Sequence, residues 1–124
     1  MRRRSRRKDF EITFYEKLLQ HRPNFVQALT CLGDAYTRKG FYKEGLEIDR
    51  KLVKLKPEDP VVHYNLACSL SLLGRLDEAL EELKKAVLLG YDDFSYILRD
   101  SDLEPLRNYL PFKDFFQKLK RIKP

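Results

Sequence analysis

Residues 26–59 read VQALTCLGDAYTRKGFYKEGLEIDRKLVKLKPED, and residues 60–93, which follow at once, read PVVHYNLACSLSLLGRLDEALEELKKAVLLGYDD. Set one above the other at a shift of 34, they agree at nine positions: Leu32/Leu66, Gly40/Gly74, Glu44/Glu78, Leu46/Leu80, Glu47/Glu81, Lys51/Lys85, Val53/Val87, Leu55/Leu89 and Asp59/Asp93. Unrelated sequence of ordinary composition would give roughly two. Other pairs keep their size without keeping their identity: Gly33/Ala67, Gly45/Ala79, Thr37/Ser71 and Arg50/Lys84. Pro23/Pro57 and Leu18/Leu52 carry the same stride back before residue 26. A fixed period of this length marks stacked helical repeats, in which each unit buries its apolar face against a neighbour.

Each unit reads as two helices. Leu29, Leu32, Ala35 and Tyr36 recur at three- and four-residue steps, which places them on one helical face. Gly40 breaks that helix. Gly45, Leu46, Leu52, Val53 and Leu55 form a second stripe, and Lys56-Pro57 ends it, because proline disfavours helix in the residue before it. In the second unit Val62, Leu66, Ala67, Leu70 and Leu73 lead to Gly74, and Leu76, Ala79, Leu80, Leu83, Ala86 and Val87 lead to Gly90. Glu47/Lys51 and Glu81/Lys85 stand four apart in the favourable order, for about 0.2–0.5 kcal/mol each.

A 34-residue helix–turn–helix repeat resembles the tetratricopeptide repeat. The family's pattern of large, Leu, Gly and Tyr falls on Leu29, Leu32, Gly33 and Tyr36, and its later small, large, small and Pro positions on Gly45, Asp49, Leu52 and Pro57. Asp49 departs from the pattern, and Leu52 is larger than the usual alanine. The second unit supplies His63, Leu66, Ala67, Leu70, Ala79, Leu83, Ala86 and Tyr91, with Tyr91 replacing the usual proline. The resemblance implies an all-α solenoid, a right-handed superhelix of about two full repeats plus flanking helices. Small residues at Gly33, Gly45, Ala67 and Ala79 would let helices approach closely.

The flanks should complete the stack. Residues 1–8 read as a basic disordered tail, and residues 9–124 as a single domain. Within it, residues 9–25 are an N-terminal half-repeat helix bearing Ile12, Tyr15, Leu18 and Leu19. Residues 26–59 and 60–93 are the repeats, and residues 94–124 are C-terminal capping helices. Phe94, Ile97 and Leu98 stand where a third repeat would begin. Ser101-Asp-Leu-Glu104 reads as a capping box, and Pro111 opens a last amphipathic helix with Phe112, Phe115, Phe116, Leu119 and Ile122. Residues 100–107 resemble the closing segment that follows many bacterial arrays, which suggests a small protein of bacterial type.

Charge is distributed unevenly over the 124 residues. Residues 2–8 (RRRSRRK) carry six positive charges and no acid, residues 9–112 carry 14 basic and 18 acidic residues, and residues 113–124 five basic and one acidic. The net charge of +6 therefore belongs to the two ends, and a basic groove across the fold is disfavoured. No apolar run approaches the ~20 residues that span a bilayer. Asp9 and Glu11 stand where a signal peptide, including a twin-arginine signal after Ser5-Arg6-Arg7, needs an apolar run. Two cysteines, Cys31 and Cys68, fit a reducing, cytoplasmic setting.

Enzymatic chemistry has little support. The sequence lacks HExxH, GxSxG, P-loop and CxxC patterns, and it implies no catalytic residue, no cofactor and no metal. His21 reads as a helix-end residue and His63 as a packing residue. The family resemblance implies instead a concave face, lined by the first helix of each pair, that binds a protein or peptide. Its candidates are Gln27, Thr30, Asp34, Thr37 and Arg38 in the first unit, and Val61, Tyr64, Asn65, Cys68, Ser71 and Leu72 in the second. A clamp for a C-terminal carboxylate of the family's chaperone-adaptor type would use Asn65 and Arg99. It is disfavoured by Thr30, Asp34 and Ser95 at the remaining positions, since Asp34 repels a carboxylate. The alternative is the basic tail, Arg2, Arg3, Arg4, Arg6, Arg7 and Lys8, attracting nucleic acid or an anionic membrane, with the repeats as spacer or self-association element. Phe10, Phe14 and Tyr15 are costly to expose, which suggests a homo-oligomer formed through the N-terminal helix edge.

Overall fold

The structure, a computed structural model, describes residues 9–122, so the expectations for the basic tail fall outside the described residues. The elements are α1 (Phe10–His21), α2 (Val26–Arg38), α3 (Tyr42–Leu55), α4 (Pro60–Leu72), α5 (Leu76–Leu88), α6 (Phe94–Ile97), a 3-10 turn at Ser101–Leu103, α7 (Glu104–Arg107) and α8 (Leu110–Ile122). The described residues contain no strand. Helix α2 packs on α3, α3 on α4, and α4 on α5, with α1 closing against α2. This is the all-α solenoid that the sequence stride predicts.

The turns inside the repeats are set by glycine. Gly40 and Gly74 adopt φ of 86° and 76°, the left-handed region that a Cβ disfavours by about 1–2 kcal/mol. There the amide of Gly40 donates to Thr37 O (3.1 Å) and that of Phe41 to Tyr36 O (2.8 Å). The amides of Gly74 and Arg75 donate in the same way to Ser71 O (2.9 Å) and Leu70 O (2.9 Å). Both ends are Schellman motifs, which satisfy carbonyls that the helix leaves orphaned. At the other termini Asp9 caps α1 through Ile12 N (3.1 Å) and Asp59 caps α4 through Val61 N (2.9 Å), ahead of Pro60.

The small residues sit at the helix crossings. A Cβ added at Gly33 would meet Ile48 Cγ2 and Asp49 Oδ1, both at 3.2 Å, and one at Gly45 would meet Thr37 Oγ1 at 2.9 Å. The repeat-equivalent Ala67 and Ala79 are completely buried. One continuous core runs from Leu46 through Leu66, Leu70 and Leu83 to Ile97, Leu103, Leu106, Phe112, Phe116 and Leu119. Two smaller clusters hold the N-terminal end: Ile12 with Leu32, Ala35 and Tyr36, and Leu29 with Leu52 and Val62.

Three local expectations are corrected. The cap of the 3-10 turn is Asp100, whose carboxylate accepts from Asp102 N at 3.0 Å, and not Ser101. Lys51 donates to the carbonyl of Pro23 (2.8 Å) and not to Glu47, and Lys85 pairs with Glu82 (3.1 Å) and not with Glu81. Exposed helix pairs are worth only tenths of a kcal/mol, so any nearer acceptor displaces them. His63 is buried as a packing residue, but its ring also lies 2.8 Å from Glu82 Oε1 and 2.7 Å from Pro57 O.

Gly33→Val should overpack the α2–α3 crossing. Loss of about 1–3 kcal/mol in urea denaturation is expected, with the helical spectrum retained; an unchanged midpoint would show that the crossing is loose.

Candidate functional site

The concave side of α2 and α4 opens into a groove of about 450 Å³. Thr30, Cys31, Gly33, Asp34 and Thr37 of α2 form one wall, and Tyr64, Asn65, Cys68 and Ser69 of α4 form the other. Asp49 and Leu52 of α3 lie between them, and Tyr96, Asp100 and Asp102 close the C-terminal end. The absence of a side chain at Gly33 leaves Asp49 in view of this groove, because the glycine lies directly over the aspartate.

The wall on the α4 side is a fixed hydrogen-bonded unit. The Tyr64 hydroxyl donates to Asp100 Oδ2 at 2.6 Å, and Cys68 Sγ lies 3.6 Å from the same oxygen. The Tyr64 ring stacks on Tyr91, with centroids 4.3 Å apart and planes at 5°. Arg107 Nη1 donates to the carbonyls of Asp100 (2.6 Å) and Ile97 (2.9 Å), which holds the turn in place. Burial, the neighbouring thiol and the Asp100 carboxylate push the Tyr64 phenol well above its ordinary range. Burial and the nearby carboxylates of Asp100 and Asp102 likewise push the Cys68 thiol up, so it offers no thiolate nucleophile. The donor atoms of Cys68, Asp100 and Asp102 lie within 4.8 Å of one another, but capping and the Tyr64 bond already account for Asp100.

Carboxylates dominate the groove. Asp34 is paired with Arg38 at 2.8 Å. Burial raises the Asp102 carboxyl above its ordinary range, and the nearby Asp100 and Asp34 raise it further. Asp49 is only 6% exposed, and its Oδ2 accepts from the Ser69 hydroxyl at 2.5 Å. Burial pushes its carboxyl up to about 6, against the opposing pull of that hydrogen bond. Among the described residues no lysine or arginine lines the groove.

Of the eleven residues expected on the concave face, Thr30, Asp34, Thr37, Tyr64, Asn65 and Cys68 line the groove, and Gln27, Arg38, Val61, Ser71 and Leu72 do not. Tyr64 and Cys68 line it as buried parts of its wall, since both are committed to Asp100. Ser71 is completely buried, and its hydroxyl has no hydrogen-bond partner among the described residues. Its place matches Thr37 in the first repeat, whose hydroxyl touches the Gly45 site. Sequence reasoning missed Cys31, Asp49, Ser69, Tyr96, Asp100 and Asp102. Asp49 carried the one readable signal, as an acid where the repeat pattern has a large apolar residue. The clamp geometry is not formed: Arg99 is directed at the Ser95 carbonyl (3.5 Å), and the groove has the wrong sign for a carboxylate.

Paired antiparallel helices at a fixed stride around an open groove define a helical-repeat scaffold. The family model described as tetratricopeptide repeat matches residues 41–81. A chloroplastic protein of Arabidopsis thaliana is 38% identical over 93 residues, covering 73% of this chain and 27% of that protein. The TPR repeat-containing thioredoxin TTL4 of the same plant is 40% identical over 55 residues, 44% of this chain and 8% of that protein. The chain thus spans about a quarter or less of the length of these curated relatives. The solved structure of MamA 41-end from Desulfovibrio magneticus RS-1 superposes with a TM-score of 0.67 at 23% identity, covering 90% of this chain and 66% of that one. The chain thus carries tetratricopeptide repeats in sequence, at residues 41–81, and shares the fold of a solved helical-repeat protein.

Asp49 makes stability depend on pH. Its folded carboxyl holds a proton up to about pH 6, whereas an unfolded aspartate releases it near 3.8. The folded state therefore binds the extra proton between these values, and stability falls as pH rises through that window. Asp49→Asn should be more stable than the parent by up to about 3 kcal/mol at pH 7, with the gap closing toward pH 4. Urea titrations at both pH values measure this; a gap independent of pH would refute it.

Proposed function

We propose that this chain is a non-catalytic interaction module that holds an extended peptide or protein segment in its concave groove. The observation that carries the reading is the groove itself, which spans the first helices of both repeats and opens to solvent along them. The tetratricopeptide match at residues 41–81 supports it, since proteins with these repeats act in general as interaction modules. Asn65 sits on the groove wall, half-buried and with no hydrogen bond to its amide among the described residues. An amide offers both donor and acceptor, which suits a peptide backbone. The alternative, a tail that binds nucleic acid or membrane, gains nothing from residues 9–122, which carry 18 basic and 19 acidic residues. A cytoplasmic setting remains part of the proposal on the strength of two free cysteines. No helix among the described residues is long and apolar enough to cross a membrane.

A peptide array probed with the chain tests the groove. Thr30→Trp and Asn65→Trp should each cut peptide retention at least about tenfold, because an indole fills the space the ligand needs, while melting behaviour stays near the parent's. Equal retention by parent and variants would place binding elsewhere.

Self-association is a second reading, favoured by one observation: Phe10 and Phe14 are 84% and 51% exposed, with rings 6.5 Å apart on the outer face of α1. A paired aromatic patch of this kind is a docking surface. Light scattering should show mass rising with concentration, and Phe10→Ser with Phe14→Ser should abolish the rise; a strict monomer throughout would remove the idea.

A further inference from the structure

Asp49 is an acid that the stack does not need. Its counterpart in the second repeat, 34 residues on, is Leu83, which is completely buried in the continuous core. Asp49 is 6% exposed, and its Oδ2 accepts from the Ser69 hydroxyl. The other oxygen, Oδ1, has no donor among the described residues. It lies 3.2 Å from where a Cβ at Gly33 would stand, and Gly33 lines the groove. Among the described residues, the side-chain oxygen that is both sealed from solvent and unpaired is Ser71 Oγ, so Asp49 Oδ1 keeps an opening. A carboxylate set this deep with an oxygen unpaired is unfavourable, and a charged donor relieves it most.

The rest of the groove has the same sign. Four carboxylates line it, Asp34, Asp49, Asp100 and Asp102, and among the described residues no lysine, arginine or histidine does. Asp34 is paired with Arg38 (2.8 Å), and Asp100 accepts from the Tyr64 hydroxyl and the Asp102 amide. Asp102 is half-buried, and its carboxylate has no hydrogen bond or ion pair among the described residues. Arg99 lies over the Tyr96 ring at 5.7 Å and Arg107 donates to two carbonyls, so neither neutralises these acids. A cation beside Asp49 or Asp102 would lower its carboxyl; both are raised instead, chiefly by burial. An arginine side chain meets this need. Its guanidinium is weakly hydrated, so it enters a confined site at less cost than an ammonium, and its five N–H donors suit carboxylate oxygens. Tyr96, 42% exposed at the same end of the groove as Asp102, offers an aromatic surface for it to lie on.

We propose that the groove selects extended peptides of a partner protein that carry arginine, with guanidinium groups meeting Asp49 beside Gly33 and Asp102 at the C-terminal end. This rests on the reading of the groove as a peptide-binding surface and adds the chemistry of what it takes. The Asn65 amide serves the peptide main chain, and the two aspartates read its charge. Acidic peptides are turned away by the same carboxylates.

The probes are fluorescent heptapeptides, ARARARA, AKAKAKA and AQAQAQA, titrated at low salt into the full-length protein. Alternate residues of an extended chain share one face, so each probe presents its polar side chains together. ARARARA should bind at least about tenfold more tightly than AQAQAQA, and more tightly than AKAKAKA. Asp49→Asn with Asp102→Asn should weaken ARARARA at least about tenfold, with the helical spectrum intact. Glu47→Gln with Glu58→Gln removes the same charge at exposed positions outside the groove and should change it by less than about twofold. Asp102→Asn alone, at a half-buried and unpaired position, should still weaken ARARARA and keeps the test open if the double variant misfolds. Equal binding of ARARARA and AQAQAQA overturns the proposal, yet the groove reading stands if Thr30→Trp weakens both. AKAKAKA binding as tightly as ARARARA overturns the choice of guanidinium. A preference that both pairs of substitutions diminish alike is general attraction and overturns the site. One that the tryptophan variants leave untouched overturns the site and the groove reading together. No binding of any probe overturns the proposal, and the peptide array then decides separately whether the groove binds peptides at all.

Discussion

Two helices cross most closely where the side chains at the contact are smallest, and between α2 and α3 that condition is met by Gly33 and Gly45. Everything downstream follows from that approach. It brings the Leu29, Leu32 and Tyr36 side of α2 onto α3 and α1, leaving the opposite side of α2 free for the groove. It also seats the buried Asp49 against the groove, its Oδ1 3.2 Å from where a Cβ at residue 33 would stand. A side chain at residue 33 would press on both Asp49 and Ile48. The hydrophobic effect drives the stacking, but the placement of the two glycines decides what the stack exposes.

The fold was legible because the repeat stride is written twice. Nine matched positions and the paired size classes fix which residues face inward, and the helices of both units fall where the apolar stripes put them. Gly40 and Gly74 were readable as stops for a reason the dihedrals supply. What sequence could not supply was the contribution of the C-terminal segment. Asp100 and Asp102 reach the groove only because Tyr64 and Arg107 tie their turn to α4 and to α6, and no periodicity marks a contact of that kind.

The site was legible in part, for a geometric reason. The first helix of each unit was taken as a wall, and Thr30, Asp34, Thr37, Tyr64, Asn65 and Cys68 line the groove. Residues at the edges of that face were over-included, because an exposed helical stripe is broader than the groove it lines. Gln27, Val61 and Leu72 belong to that margin. Tyr64 was read as a concave-face residue, and its neighbours Tyr91 and Asp100, 27 and 36 residues further along the chain, draw it into the groove wall.

The apolar core is unequally shared along the stack. Its continuous part joins the second repeat to the C-terminal helices, whereas α1 and α2 rest on two small clusters. Units of a solenoid are held chiefly by their neighbours, so the molecule should unravel from its beginning, α1 first and α2 next. The groove has one wall in each half. Mild heating or denaturant would therefore dissolve the groove while most of the helix content survives, and loss of the groove would precede loss of fold.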